Sequence, residues 1–240
     1  MDLQSFIHGI AYADIPASAL HEAKRALLDT VGVAIGAVSL PGSVIIRSFA
    51  RAMYGGAGGV IWFGGGEVSA VGAAMANSLM VDQLDQHDSG HVAKGHAGAA
   101  IIPSALILAQ PLSKISGLRH LSNRDGYARA LTGEELLELI VMGYEVAYRA
   151  GETMASASDH HNGVYYTSGS WNNVGVAAMW ARRLGLSADE TAHALGIAEY
   201  HSPRGDVLTV RIPLSAAKTR CYCIVYNASG YTCGRASGNE

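Results

Sequence analysis

Between Asp85 and His96 the chain reads D-Q-H-D-S-G-H-V-A-K-G-H, which places Asp85, His87, Asp88, His91, Lys94 and His96 within twelve residues. Histidine gains and loses a proton near neutrality, aspartate can orient an imidazole, and lysine or a charged histidine can hold a carboxylate. Gly90 and Gly95 make the stretch a loop between two apolar segments, where chemistry-bearing side chains commonly sit. On spacing alone two other readings stay open. One is a solvated turn whose polar groups face water. The other is a metal shell, because His87 and His91 stand four apart and Asp85, Asp88 or His96 could complete the set. The glycines weaken the helix that such spacing needs, and no H-E-x-x-H or cysteine pair supports zinc, so no metal is expected.

Two later clusters carry the same kinds of group. Asp159 to Ser168, D-H-H-N-G-V-Y-Y-T-S, precedes an apolar segment. Its hydroxyls and the free N–H groups of a helix start would suit an anion, or would simply cap that helix. Glu199 to Gly205 contains Arg204, which could clamp a carboxylate through two parallel hydrogen bonds or merely complement a helix end. No G-x-G-x-x-G after a strand, G-x-x-x-x-G-K-[ST] or G-x-S-x-G is present, which weakens nucleotide and serine-hydrolase readings.

The elements that must position these clusters read as helices. Leu20, Ala23, Leu27, Val31, Ala34 and Ile35 recur at helical spacing between Pro16 and Val38. A second helix is expected over 42–53, a short strand at Val60 to Phe63, and a further helix over 67–84. Residues 97–110 predict a buried helix that starts or breaks near Pro103, and 111–129 a polar loop. Thr132-Gly-Glu-Glu135 and Ser187-Ala-Asp-Glu190 both have the spacing of a capping box, predicting helices over 133–150 and up to 198. Another helix is expected over 168–184.

With 49% hydrophobic and 15% charged residues over 240 positions, the chain can bury a large core. The reading is a compact all-α domain. A net charge of -3 offers no basic field for a phosphate backbone, so nucleic acid is not an expected partner. Gly95 to Ser113 carries no Asp, Glu, Lys or Arg, but His96, Pro103 and its small residues favour a core helix over a membrane span. The N-terminus lacks the basic start and continuous apolar run of a signal peptide, which makes cytoplasm the expected location. Cys221, Cys223 and Cys233 all fall near the end. Their odd number argues against a disulfide framework.

Taken in order, several blocks resemble the MmgE/PrpD family, which includes 2-methylcitrate dehydratase, cis-aconitate decarboxylase and an iminodisuccinate epimerase. They are A-K-R-A-L-L-D-T-V-G-V-A-I-G at 23–36, A-A-M-A-N-S-L-M-V-D-Q-L-D-Q-H-D-S at 73–89 and H-A-G-A-A-I-I-P-S-A-L at 96–106. T-G-E-E-L-L-E-L-I-V-M-G-Y-E-V-A-Y-R at 132–149 and the run over 168–198 continue the likeness. The resemblance spans residues 1–205 and implies an all-α domain of that type without the family's usual second α/β domain. Residues 206–240 do not align, and a truncation or a shifted reading frame is the expectation there.

The activity implied is that of a cofactor-free lyase or isomerase that removes a proton beside a carboxylate of a small di- or tricarboxylate. Dehydration, decarboxylation or epimerisation would follow. Asp85 matches the first acidic residue of the family motif, His96 the histidine opening its next helix, and Ser89 falls where threonine is common. His87 replaces a common acidic residue, and Tyr166 stands where many members have histidine. The catalytic candidates are therefore Asp85, His87 and His96, with Ser89, Lys94, Tyr166 and Arg204 as substrate-binding candidates. A homo-oligomer, most simply a dimer, is expected. The rival reading is a catalytically inactive helical fragment that acts through self-association or a partner.

Overall fold

The computed structural model describes residues 2–91, 93, 95–118, 127–157 and 168–202, together with the short strands Tyr222–Cys223 and Cys233–Gly234. Helix α1 (Leu3–Gly9) is capped by Asp2, whose carboxylate accepts the Ser5 N–H at 2.7 Å. Then come α2 (Ala17–Ala37) and α3 (Pro41–Met53), followed by a hairpin of β1 (Gly58–Ile61) and β2 (Gly66–Ser69), antiparallel with Gly58 opposite Ser69. Helices α4 (Ala70–Asp82), α5 (Gly98–Leu108), α6 (Gly133–Ala157), α7 (Ser168–Arg183) and α8 (Ala188–Tyr200) complete the domain. The tail strands, β3 (Tyr222–Cys223) and β4 (Cys233–Gly234), also pair antiparallel. The architecture is mostly α, as expected.

Burial separates the helices into two kinds. Nearly every residue of α4 and α5 is buried, and so are most of α7, because small and apolar side chains surround these helices on all sides. They form the centre. Helix α4 packs against α2, α3 and β1, α5 lies against α4, α6 and α7, and α6 and α8 flank α7. Among the described residues no single helix is long and apolar enough to cross a membrane. The apolar run near Pro103 is the central helix α5.

Two expectations needed correction. The segment 67–69 is not the first turn of a helix but strand β2, because Phe63, Gly64 and Gly66 all take positive φ and reverse the chain tightly before it. Ser69 then caps α4 through the Gly72 N–H at 3.3 Å. Pro103 neither starts nor breaks its helix: α5 runs through it, since burial on all sides outweighs the one backbone bond a proline removes. Both capping boxes form. Thr132 Oγ1 accepts the Glu135 N–H while Glu135 accepts the Thr132 N–H, and Ser187 and Glu190 repeat the exchange.

Two devices hold the core in register. At Gly175 an added Cβ would sit 2.7 Å from Ala147 Cβ and from the Gly143 carbonyl oxygen, so α6 and α7 meet at a distance only glycine permits. The N-terminal segment is tied down by Arg182 of α7, which donates to the Ile7 and Ile10 carbonyls at 2.8 Å and pairs with Glu138 of α6 at 2.7 Å. Glu138 in turn accepts the Tyr12 N–H at 2.7 Å. Arg182→Met keeps the stem but leaves Glu138 and two carbonyls without their donor. Since the pair is partly exposed, the expected loss is about 2 kcal/mol, less than for a fully buried pair. Urea unfolding of the two proteins measures it, and an unchanged midpoint would refute this role.

Candidate functional site

The His/Asp segment leaves the C-terminal end of α4 through Asp85, whose φ of 52° bends the chain back over the helix. Aspartate tolerates that left-handed conformation better than most residues, and its N–H bonds the Asp82 carbonyl at 3.2 Å. Further on, the Gly90 N–H donates to the Gly95 carbonyl at 2.8 Å, pinching the chain into a neck. Both glycines are needed for close approach. A Cβ at Gly90 would lie 2.3 Å from the Tyr148 ring, and one at Gly95 would lie 2.4 Å from Ser168 Oγ. The neck returns the chain to the start of α5 with His96 beside the residues it left.

His87 turns inward and is buried, with Nε2 at 3.0 Å from Oδ1 of Asp82, the last residue of α4. Its ring lies on that of His96, centroids 4.0 Å apart. His96 is half-buried and fixed at three points. Its N–H donates to Ser168 Oγ at 2.9 Å, its carbonyl accepts from Asn172 Nδ2 at 2.8 Å, and its Nδ1 lies 2.6 Å from the Asp88 carbonyl oxygen. A carbonyl oxygen only accepts, so Nδ1 carries the proton and Nε2 is left as the basic nitrogen. Ser168 and Asn172 are one turn apart on α7, which explains why both reach the same residue.

Asp88 joins the loop to the scaffold. Its Oδ1 accepts the Gly98 N–H at 2.9 Å, satisfying a free donor at the start of α5, and Tyr148 of α6 donates to Oδ2 at 3.4 Å. Burial, with the nearby Asp88 charge, raises both the Tyr144 and Tyr148 phenols, so they stay protonated. A cavity of about 690 Å³ opens beside them between α2 and α6, with Ala23, Leu28 and Ile140 in its walls.

The two histidines are pushed in opposite directions. Burial disfavours charge on His87, but the Asp82 carboxylate, with Asp88 and Asp85, more than offsets it and raises its pKa above 6.5. For His96 burial is again the largest influence, the His87 charge adds to it, and the pKa is lowered. The two rings are thereby suited to different charge states at one pH.

Of the residues expected from sequence, Asp85, His87 and His96 come together, each offering an atom within 4.8 Å of the others. Edges of roughly 3.3 Å would be needed for the three to share a tetrahedral zinc ion. His91 lies in an exposed turn, and no helix places it beside His87. Ser89 is exposed on the same loop. Lys94, Tyr166 and Arg204 lie outside the described residues. Asp82, Asp88, Ser168 and Asn172 were not expected. Asp82 has a signal in the sequence, a carboxylate closing an otherwise apolar helix, whereas nothing local couples Ser168 or Asn172 to His96.

The site is thus a stacked pair of histidines with oppositely shifted proton affinities, at the junction of two central helices. The MmgE/PrpD N-terminal domain profile matches residues 1–204, and the chain belongs to that family. It is 25% identical over 207 residues to the cis-aconitate decarboxylase-like protein oryM of Aspergillus oryzae (strain ATCC 42149 / RIB 40), an alignment covering 82% of this chain and 39% of that protein. The chain therefore spans well under half the length of this relative.

Proposed function

We propose that the chain carries the proton-handling part of a lyase or isomerase that acts on a small di- or tricarboxylate. The reading rests above all on the His87 and His96 pair. His96, neutral and with Nε2 free, takes the proton from the carbon beside a carboxylate. His87, cationic through its carboxylate neighbours, returns a proton to the departing group or to the carbanion. Asp85, at the mouth of the loop, orients the pair. Ser89, Lys94, Tyr166 and Arg204 hold the substrate's carboxylates, and no cofactor enters the proton transfer. Dehydration and epimerisation begin with the abstraction by His96; in decarboxylation, which the relative's name favours for a cis-aconitate-like acid, CO₂ leaves instead and the carbanion takes its proton from His87.

The test is proton exchange. Citrate-like, cis-aconitate-like and aspartate-derived acids are incubated with the chain in D₂O and followed by NMR. Deuterium appearing at the carbon beside a carboxylate, with or without a new product, supports the reading. No exchange and no product with any of these acids removes it for this chain. Where turnover is seen, the rate should follow a bell in pH. Its acid limb, set by protonation of His96, lies below 6.5, and its alkaline limb, set by proton loss from His87, lies above 6.5. A profile with the limbs' order reversed in the residue variants would contradict the assignment.

A second reading, an inactive helical unit that works by association, has one observation in its favour. Helix α3 exposes Val44, Ile45, Phe49 and Met53 along one side, with Ile45 68% and Met53 65% accessible. Light scattering coupled to gel filtration separates the two: a folded monomer counts against association as its function.

A further inference from the structure

We propose that Asp82 is a positioning residue of this site: acting through His87, it holds an imidazolium against the His96 ring and so keeps His96 in the neutral form that can accept a proton. The role rests on the reading of His96 as the base, but its evidence is geometric. The side chains of Asp82 and His87 are each only 1% exposed and 3.0 Å apart, so neither partner is solvated in place of the other. His87 and His96 lie with ring centroids 4.0 Å apart, a separation at which two positive charges oppose each other strongly.

The surrounding charges settle which ring is charged. From α4 comes Asp82, from the loop Asp85 and Asp88, from α6 the phenols of Tyr144 and Tyr148, and from α7 the uncharged Ser168 and Asn172. Asp85 is exposed and therefore screened, and Asp88 spends its oxygens on the Gly98 N–H and Tyr148. Of the two rings, His87 is the one with a buried carboxylate beside it. His96 has a neutral carbonyl at Nδ1, which orients it without favouring charge. The first proton taken up by the pair therefore rests on His87, and the second is resisted.

Histidine protonation can be read without turnover. The full chain, labelled with ¹⁵N at histidine, is titrated while long-range ¹H–¹⁵N correlations report charge and tautomer of each ring. In the native protein His87 should titrate above the ordinary histidine value, and His96 below it as the Nδ1–H tautomer. In Asp82→Asn the two midpoints should converge, each moving by about one pH unit, a tenfold change in proton affinity. Asp82→Glu should restore part of the separation. If Asp82→Asn does not fold, His87→Gln serves instead: removing the cation must raise the His96 midpoint.

An unmoved His96 midpoint in the folded variants, or His87 titrating below His96 in the native chain, overturns the proposal. Converging midpoints in a chain that exchanges no substrate proton would retain the role of Asp82 and discard the lyase reading. Substrate exchange with unmoved midpoints would do the reverse.

Discussion

His96→Ala is expected to lower turnover of an exchangeable carboxylate by about 10²- to 10⁴-fold, the range typical of a lost general base. The fold should survive, because Ser168 and Asn172 bond the main chain of residue 96 and the alanine retains both groups. The loss should fall on kcat with KM little changed, since the imidazole acts on the reacting proton and does not hold the carboxylates. Steady-state rates on the native and variant chains, with circular dichroism to show matching helicity, decide the matter. Equal rates would remove His96 from the mechanism. His87→Gln should cost less, since it leaves the base in place and removes the acid.

Gly175→Val is expected to destabilise the domain by about 3 kcal/mol, at the upper end of what overpacking a core usually costs. A Cβ there meets Ala147 Cβ and the Gly143 carbonyl at 2.7 Å and Ile101 Cδ1 at 3.1 Å. Two of these three contacts are with atoms that cannot rotate aside, so α6 and α7 must separate. Propensity alone argues the opposite way, because a glycine inside a helix costs about 1 kcal/mol relative to alanine. The sign of the effect therefore reports which influence wins. Gly175→Ala should already destabilise, and valine more. Chemical unfolding of the series measures it, and an alanine variant more stable than the native chain would show that the close approach is relaxed at no cost. Activity should fall with stability, because α7 carries the two residues that fix His96.

Helices were legible where small and apolar residues repeat over many turns, as in α2, α3 and α7, and where a capping box announces the start, as before α6 and α8. The hairpin was half legible. Val60 and Ile61 suggested a strand, but Glu67 to Ser69 was absorbed into the helix that follows, since three residues are too few to show their own period. Pro103 reads by its local cost, and only the near-complete burial of α5 reveals why that cost is tolerated.

The loop that carries Asp85, His87 and His96 stood out by density alone. Its wiring did not. Asp82 looked like the polar end of an apolar helix, and its pairing with His87 depends on the left-handed turn at Asp85, which no spacing rule announces. Ser168 and Asn172 are 72 and 76 positions from His96 and meet it only because α7 packs along α5.

The bond between Gly90 and Gly95 gives the His/Asp loop a property apart from chemistry. It closes the chain on itself, with His87 and His96 outside the closed stretch. Closing a ring one residue longer or shorter changes its entropy only slightly. A residue inserted or removed between the two glycines should therefore be taken up inside the closure, leaving the spacing of the two imidazoles untouched. Such an arrangement separates the length of the loop from the geometry of the histidine pair.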